Sequence, residues 1–199
     1  GGKEIEICKK CKRPTCLHPK ICPNLNTDHS EVLNLYAAVR KLPFIKKAFI
    51  GSGIRYDLAT DAYLKEVVKN HVSGRLKVAP EHTNDAVLNL MRKPSFSLFK
   101  EFDKKFNKFN EEFGLKQQLI PYFISSHPGC KPEHMAELAI ETKKLNFRLE
   151  QVQDFTPTPF TLATEIYYTG INPYTMEKVY TAKTPEQKKV VTERASSGL

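Results

Sequence analysis

Four thiols sit near the start of the chain. Cys8, Cys11, Cys16 and Cys22 fall within fifteen residues in a C-x2-C-x4-C-x5-C spacing, and the fifth cysteine, Cys130, stands far away. Four thiolates on a short, proline-bearing segment suit a tetrahedral metal, because such a loop has no core of its own and metal–sulfur bonds supply the ordering energy. Zinc and an iron–sulfur cluster are both chemically open, since each takes thiolate ligands. Lys9, Lys10, Lys12, Arg13 and Lys20 surround the cysteines. Their charge would help keep the thiols deprotonated and offset a four-thiolate site. The spacing is not a standard zinc-finger spacing, so it identifies ligands better than it identifies the metal. Free thiols are the alternative, and disulfides would go with export, for which no signal pattern is legible.

A second set of reactive residue types falls where strands would hand over to helices. The four segments read GSGIRYD (51–57), APEHTND (79–85), SSHPGC (125–130) and DFTPTPFTLAT (154–164). Arg55, Asp57, Glu81, His82, Ser125, Ser126, His127, Asp154 and Thr156 would then share one rim. Parallel α/β proteins bind ligands beyond the carboxyl ends of their strands. Singly, each residue has an ordinary task as a helix cap or turn former. Together on one rim they favour a binding site.

The elements that must position these residues follow from periodicity. Short apolar runs at 46–51, 75–79, 118–125 and 148–155 read as strands, and amphipathic stretches between them read as helices. Ser30 is an N-cap candidate for the first helix, which Pro43 stops. Phe96, Phe99, Phe102, Phe106, Phe109 and Phe113 recur at steps of three and four, the plainest helical face in the chain, and Gly114 closes it. A last helix is expected over 160–169. Strand and helix in alternation with short connections imply parallel strands joined by right-handed crossovers. The expected fold is therefore α/β, a partial parallel (β/α) barrel of about four strands behind a Cys-rich loop. Residues 1–29 read as the metal-binding segment, 30–170 as the partial barrel and 171–199 as an irregular tail.

With 31 basic against 22 acidic residues the formal charge is +9, which admits a polyanion partner. The lysines are scattered along helices rather than gathered into an arm, so the charge is weak evidence for such a partner and a solvated basic surface is the plainer reading. A metal-stabilised basic module that binds RNA or a protein is the alternative to an enzyme. No apolar run approaches the roughly 20 residues of a membrane span, so a cytoplasmic protein with no membrane partner is expected. Unpaired edges of a partial barrel would favour self-association.

The strand-end segments also carry a resemblance. PEHTNDAVLNLMRK resembles the fourth-strand loop of radical S-adenosylmethionine enzymes of the methylthiotransferase type, Q-S-G-S-D-x-V-L-x-x-M-x-R. Asp85, Val87, Leu88 and Met91 are in register, and Glu81 stands at the Gln position. FISSHPGCKPEHM is similar to the fifth-strand motif F-I-V-G-F-P-G-E-T through Phe123, Ile124, Pro128 and Gly129. FTPTPFTLAT is similar to the sixth-strand segment F-x-Y-S-x-R-P-G-T-x-A through Phe155, Pro159 and Ala163. More closely, RPTCLHPKICPNLNTDHS, GSGIRYDL, LKVAPEHT and LIPYFISSHPG resemble the YgiQ family of radical S-adenosylmethionine proteins, from about Arg13 to Tyr174.

That resemblance implies the third-to-sixth-strand portion of a TIM-like barrel. In the parent protein, a [4Fe–4S] cluster would pass an electron into S-adenosylmethionine, and the resulting 5′-deoxyadenosyl radical would take hydrogen from a substrate of unknown identity. It further implies that Glu81 and His82 meet the ribose or methionine end of the cofactor. By the same analogy Phe123, Ile124 and Ser125 line the adenine, and Arg55 and Asp57 hold the charged amino-acid part. The C-x3-C-x2-C motif that binds the radical-generating cluster is absent from this chain. The opening cysteines would then hold a different centre, zinc or an auxiliary iron–sulfur cluster, and the segment alone would be inactive.

Overall fold

A computed structural model describes residues 2–147 and 152–196, with side chains as far as residue 193. The chain divides into two compact units. One comprises Gly1–Leu76 and Glu101–Gln118, the other Lys77–Lys100 and Leu119–Leu199.

The first unit is mainly helical. It contains α1 (Ile5–Lys10), α2 (Ser30–Arg40), α3 (Asp61–Asn70) and the greater part of α5 (Phe96–Glu112). Asp28, not Ser30, receives the first free donors of α2, accepting from the Ser30 amide at 3.0 Å and its hydroxyl at 2.7 Å. Thr60 caps α3 by accepting from the Tyr63 amide. Leu64, Val67 and Val68 of α3 are buried, as are Phe102, Phe106 and Phe109 of α5. The phenylalanine stripe is thus a packing face, and Gly114, with φ of 64°, ends it in the left-handed region open to glycine.

The expected strand at 46–51 does not form. A strand exists only where a neighbour completes its ladder, and here a histidine takes the backbone groups instead. The Ile50 amide donates to the His71 carbonyl at 2.9 Å, and His71 Nδ1 lies 2.7 Å from the Ala48 carbonyl. The Cys-rich loop is also not irregular throughout, because α1 carries Cys8.

The second unit is built on a parallel sheet of three strands among the described residues, in the order β1-β2-β3. They are β1 (Arg75–Glu81), whose first two residues fall in the other unit, β2 (Gln118–Ser125), whose first residue does so too, and β3 (Val152–Asp154). The first part of the expected fourth strand, 148–151, lies outside the described residues. Register is set by Phe123 opposite Val152, Ile124 opposite Gln153 and Ser125 opposite Asp154. β1 continues through Pro80, which an edge strand tolerates. The architecture is α/β and compatible with a partial β/α barrel, with three strands described where about four are expected.

Around this sheet stand α4 (Asp85–Leu90), α6 (Pro132–Lys144), α7 (Leu162–Thr169) and α8 (Pro185–Ser196). Asp85 reaches forward from α4 and accepts from the Phe96 amide at 3.1 Å and the Ser95 hydroxyl at 2.9 Å, fixing the start of α5. The tail expected to be irregular contains α8, which packs against α6. Its start is a capping box: Thr184 accepts from the Gln187 amide at 3.2 Å, and the Gln187 side chain accepts from the Thr184 amide at 3.1 Å. Pro185 follows at the first helical position, where a missing amide costs nothing. No helix among the described residues is long and apolar enough to cross a membrane.

Candidate functional site

Within the second unit a cavity of about 520 Å³ opens where the three strands end. That volume falls in the ordinary range for small-molecule sites. Glu81 comes from the end of β1, Ile124 from β2, and Gln153 and Asp154 from β3. Leu90, Met91, Arg92 and Lys93 close one side, and the segment 155–163 closes another. The walls mix apolar surface from Leu90, Ile124 and Leu162 with charges of both signs.

Backbone strain concentrates here. Glu81 has φ of 69° and Arg92 φ of 55°, and both line the cavity. Ser126 (φ 58°) and Phe160 (φ 64°) adjoin lining residues, and the Phe160 ring is fully exposed. Left-handed backbone at non-glycine residues costs free energy and persists only where surrounding structure over-determines it, most often at functional sites. Gly129 (φ 85°) belongs to the same rim, and a Cβ there would collide with Leu90.

Buried groups fix the loops that carry these residues. His82 is fully buried, and its Nδ1 accepts from the Thr83 and Asn84 amides, both at 2.9 Å. The remaining ring proton is therefore on Nε2, which lies 3.5 Å from Cys130 Sγ. Burial, with His134 and His127 nearby, pushes the His82 pKa down to about 3. Burial likewise pushes the Cys130 thiol up to about 12, which disfavours the thiolate. His127 lines the cavity, hydrogen-bonds the Pro128 carbonyl through Nδ1 and is lowered by burial to about 4.

Asp154 is the focus of the polar network. Its Oδ1 accepts from the Ser125 hydroxyl, from Thr192 at 3.0 Å and from Ser126 at 3.4 Å. Among the described residues Oδ2 has no partner. Glu81 accepts from Lys93 Nζ at 3.0 Å. Arg92 has no carboxylate partner among the described residues, and its guanidinium lies over the Tyr174 ring, 4.8 Å from the centroid.

Only part of the expected rim is assembled in this way. Glu81, Ile124, His127, Asp154 and Thr156 line the cavity. Ser125 is buried and spends its hydroxyl on Asp154, Phe123 is wholly in the core, and His82 holds a loop from the interior. Arg55 and Asp57 belong to the first unit, where they pair with each other. Arg92, Lys93, Thr158 and Thr161 line the cavity without having been singled out by sequence. The basic pair directly after Met91 was the available signal for the first two.

The four opening cysteines form no disulfide; three are exposed and Cys22 is partly covered. Cys8 Sγ accepts from Asn24 Nδ2 at 3.2 Å, and Cys11 Sγ from the Arg13 amide at 3.5 Å. The Gly2 backbone passes Cys8 so closely that a Cβ there would overlap its sulfur. Among the described residues no group of three or more ligand side chains is gathered for a metal ion.

Residues 150–195 match a family model described as a domain of unknown function, DUF3362. The chain is also similar to UPF0313 proteins. One from Bacteroides thetaiotaomicron is 61% identical over 199 residues, covering 94% of this chain and 32% of the relative. One from Porphyromonas gingivalis is 60% identical, covering 94% and 31%, and one from Methanocella arvoryzae is 49% identical, covering 90% and 30%. The chain thus spans about a third of the length of the curated relatives it matches.

Proposed function

We propose that this chain is the cofactor-lining and substrate-lining part of a radical S-adenosylmethionine protein of the YgiQ type, a longer protein whose cluster-binding cysteine motif lies outside the present sequence. The observation that carries this reading is the cavity at the carboxyl ends of the parallel strands, with Glu81, Ile124 and Asp154 each supplied by a different strand. The greater length of the similar proteins supports it as well. With its cluster, S-adenosylmethionine supplies a carbon radical that abstracts hydrogen from a substrate. None of the cysteines here has the spacing for that cluster, so this chain's part is binding.

The residues present fit such a ligand. Ile124, Leu90 and Leu162 offer apolar surface for a flat heterocycle. The carboxylates of Glu81 and Asp154 accept from hydroxyl or ammonium groups, and Arg92 is available for a carboxylate. Calorimetry on the anaerobically reconstituted full-length protein tests this. Glu81→Ala is expected to weaken S-adenosylmethionine binding about tenfold, the worth of one hydrogen bond to a charged group. Unchanged affinity would overturn the assignment.

The soft donor set of Cys8, Cys11, Cys16 and Cys22 fits zinc or an auxiliary iron–sulfur cluster in chemistry, although the described arrangement has not drawn three sulfurs together. The unpaired thiols and the N–H···S contacts at Cys8 and Cys11 support a metal role. Metal analysis of anaerobically purified protein should find zinc, or iron with sulfide, and should find neither after Cys8→Ser with Cys11→Ser. Equal metal content in both proteins would contradict the role.

A further inference from the structure

The C-terminal helix reaches into the site, although it lies far from the strands in sequence. Thr192 of α8 donates to Asp154 Oδ1 at 3.0 Å across 38 positions of sequence. Its Oγ1 is also 3.0 Å from the Lys188 carbonyl. One hydroxyl carries one hydrogen, and the ionised carboxylate is the stronger acceptor, so the carboxylate receives it. Thr192 is well fixed for this. Val191 beside it is fully buried, α8 packs on α6, and the capping box at Thr184 and Gln187 sets where the helix begins.

The consequence falls on Asp154. With Ser125, Ser126 and Thr192 all directed at Oδ1, the carboxylate cannot turn without losing hydrogen bonds, and Oδ2 is the oxygen left for a ligand. We propose that Thr192 is a positioning residue, which holds Asp154 so that Oδ2 accepts from an O–H or N–H donor of the molecule in the cavity. This rests on the cavity reading above. It also gives the stretch matched as a domain of unknown function a definite task, because β3 and α8, its two ends, meet at this carboxylate.

The test is a double-mutant cycle on the full-length, reconstituted protein, with S-adenosylmethionine as the calorimetric probe. Thr192→Val keeps the shape and removes the hydroxyl, Thr192→Ser keeps the hydroxyl, and Asp154→Asn removes the charge. Thr192→Val is expected to weaken binding about tenfold, Thr192→Ser to bind like wild type, and Thr192→Val to add nothing once Asp154 is Asn. Wild-type affinity in Thr192→Val, or an equal loss in both backgrounds, would overturn the proposal. A wild-type protein that binds no S-adenosylmethionine would defeat the cofactor reading instead. Denaturant unfolding of the four proteins of the cycle, wild type, Thr192→Val, Asp154→Asn and the double variant, then decides the hydrogen bond: non-additive losses support Thr192 acting through Asp154, and additive losses overturn it.

Discussion

The strand-end cavity and the cysteine segment are both rich in reactive residue types, and they are held in opposite ways. At the cavity each functional group is backed by a buried one: Asp154 by Ser125, Glu81's loop by His82, and the strand ends by Phe123. The cysteine segment has almost no interior. α1 contributes no buried residue, Ile5 and Ile7 stand in solvent, and the hydrogen bonds joining Lys3 and Glu4 to Asn24 run over exposed surface. A preorganised cavity can bind without rearranging, because the ordering entropy has been spent in folding. On the proposed metal role, a segment with so little burial would take its ordering energy from metal–sulfur bonds, as small metal sites do.

The largest expected contrast is in stability. Phe123→Ala removes a fully buried ring from β2 and should cost about 3–5 kcal/mol, whereas Ile7→Ala, half exposed, should stay within about 0.5 kcal/mol. Urea unfolding checks both, and comparable losses would mean that the cysteine segment has a core of its own.

The next contrast is in pH. His82 and His127 are held neutral by burial, with folded pKa values lowered to about 3 and about 4 from an ordinary 6.5. As pH falls below 6.5 the unfolded chain takes up protons that the folded chain refuses, so stability present above that pH is lost towards pH 4. The slope should be about 1.4 kcal/mol per pH unit for each histidine. His82→Asn keeps an acceptor for the Thr83 and Asn84 amides while removing one titration, so unfolding midpoints measured from pH 7 to 5 should flatten. An unchanged slope would place the proton uptake elsewhere.

A smaller effect is expected at Gly129. Gly129→Ala adds a Cβ in left-handed backbone against Leu90 and should cost about 1–3 kcal/mol. Gly51→Ala, with open space around it, should cost far less. Equal thermal shifts for the two would remove the case that the cavity rim is tightly packed.

Much of the scaffold was legible in the sequence because burial on one face leaves a period. The phenylalanines of α5 and the strands expected at 75–79 and 118–125 are local patterns of this kind. The run at 46–51 has strand composition, but a strand needs a neighbour, which composition does not report. α8 is polar and has Val191 as its one fully buried anchor among the described residues, so it shows no stripe; its capping box, Thr184 with Gln187, was the readable signal. At the site, Glu81 and Asp154 could be placed from the ends of strands. The pairing of Asp154 with Thr192 could not, because it joins positions whose distance is set by the fold. Loop position also failed to distinguish a lining residue such as Glu81 from its buried neighbour His82.

Backbone hydrogen exchange on the full-length, anaerobically reconstituted protein, with and without S-adenosylmethionine, tests the central claim most directly. The account predicts new protection at residues 81–93, 124–127 and 153–163 and none at 8–25. Protection confined to the cysteine segment, with the strand ends unchanged, would contradict it.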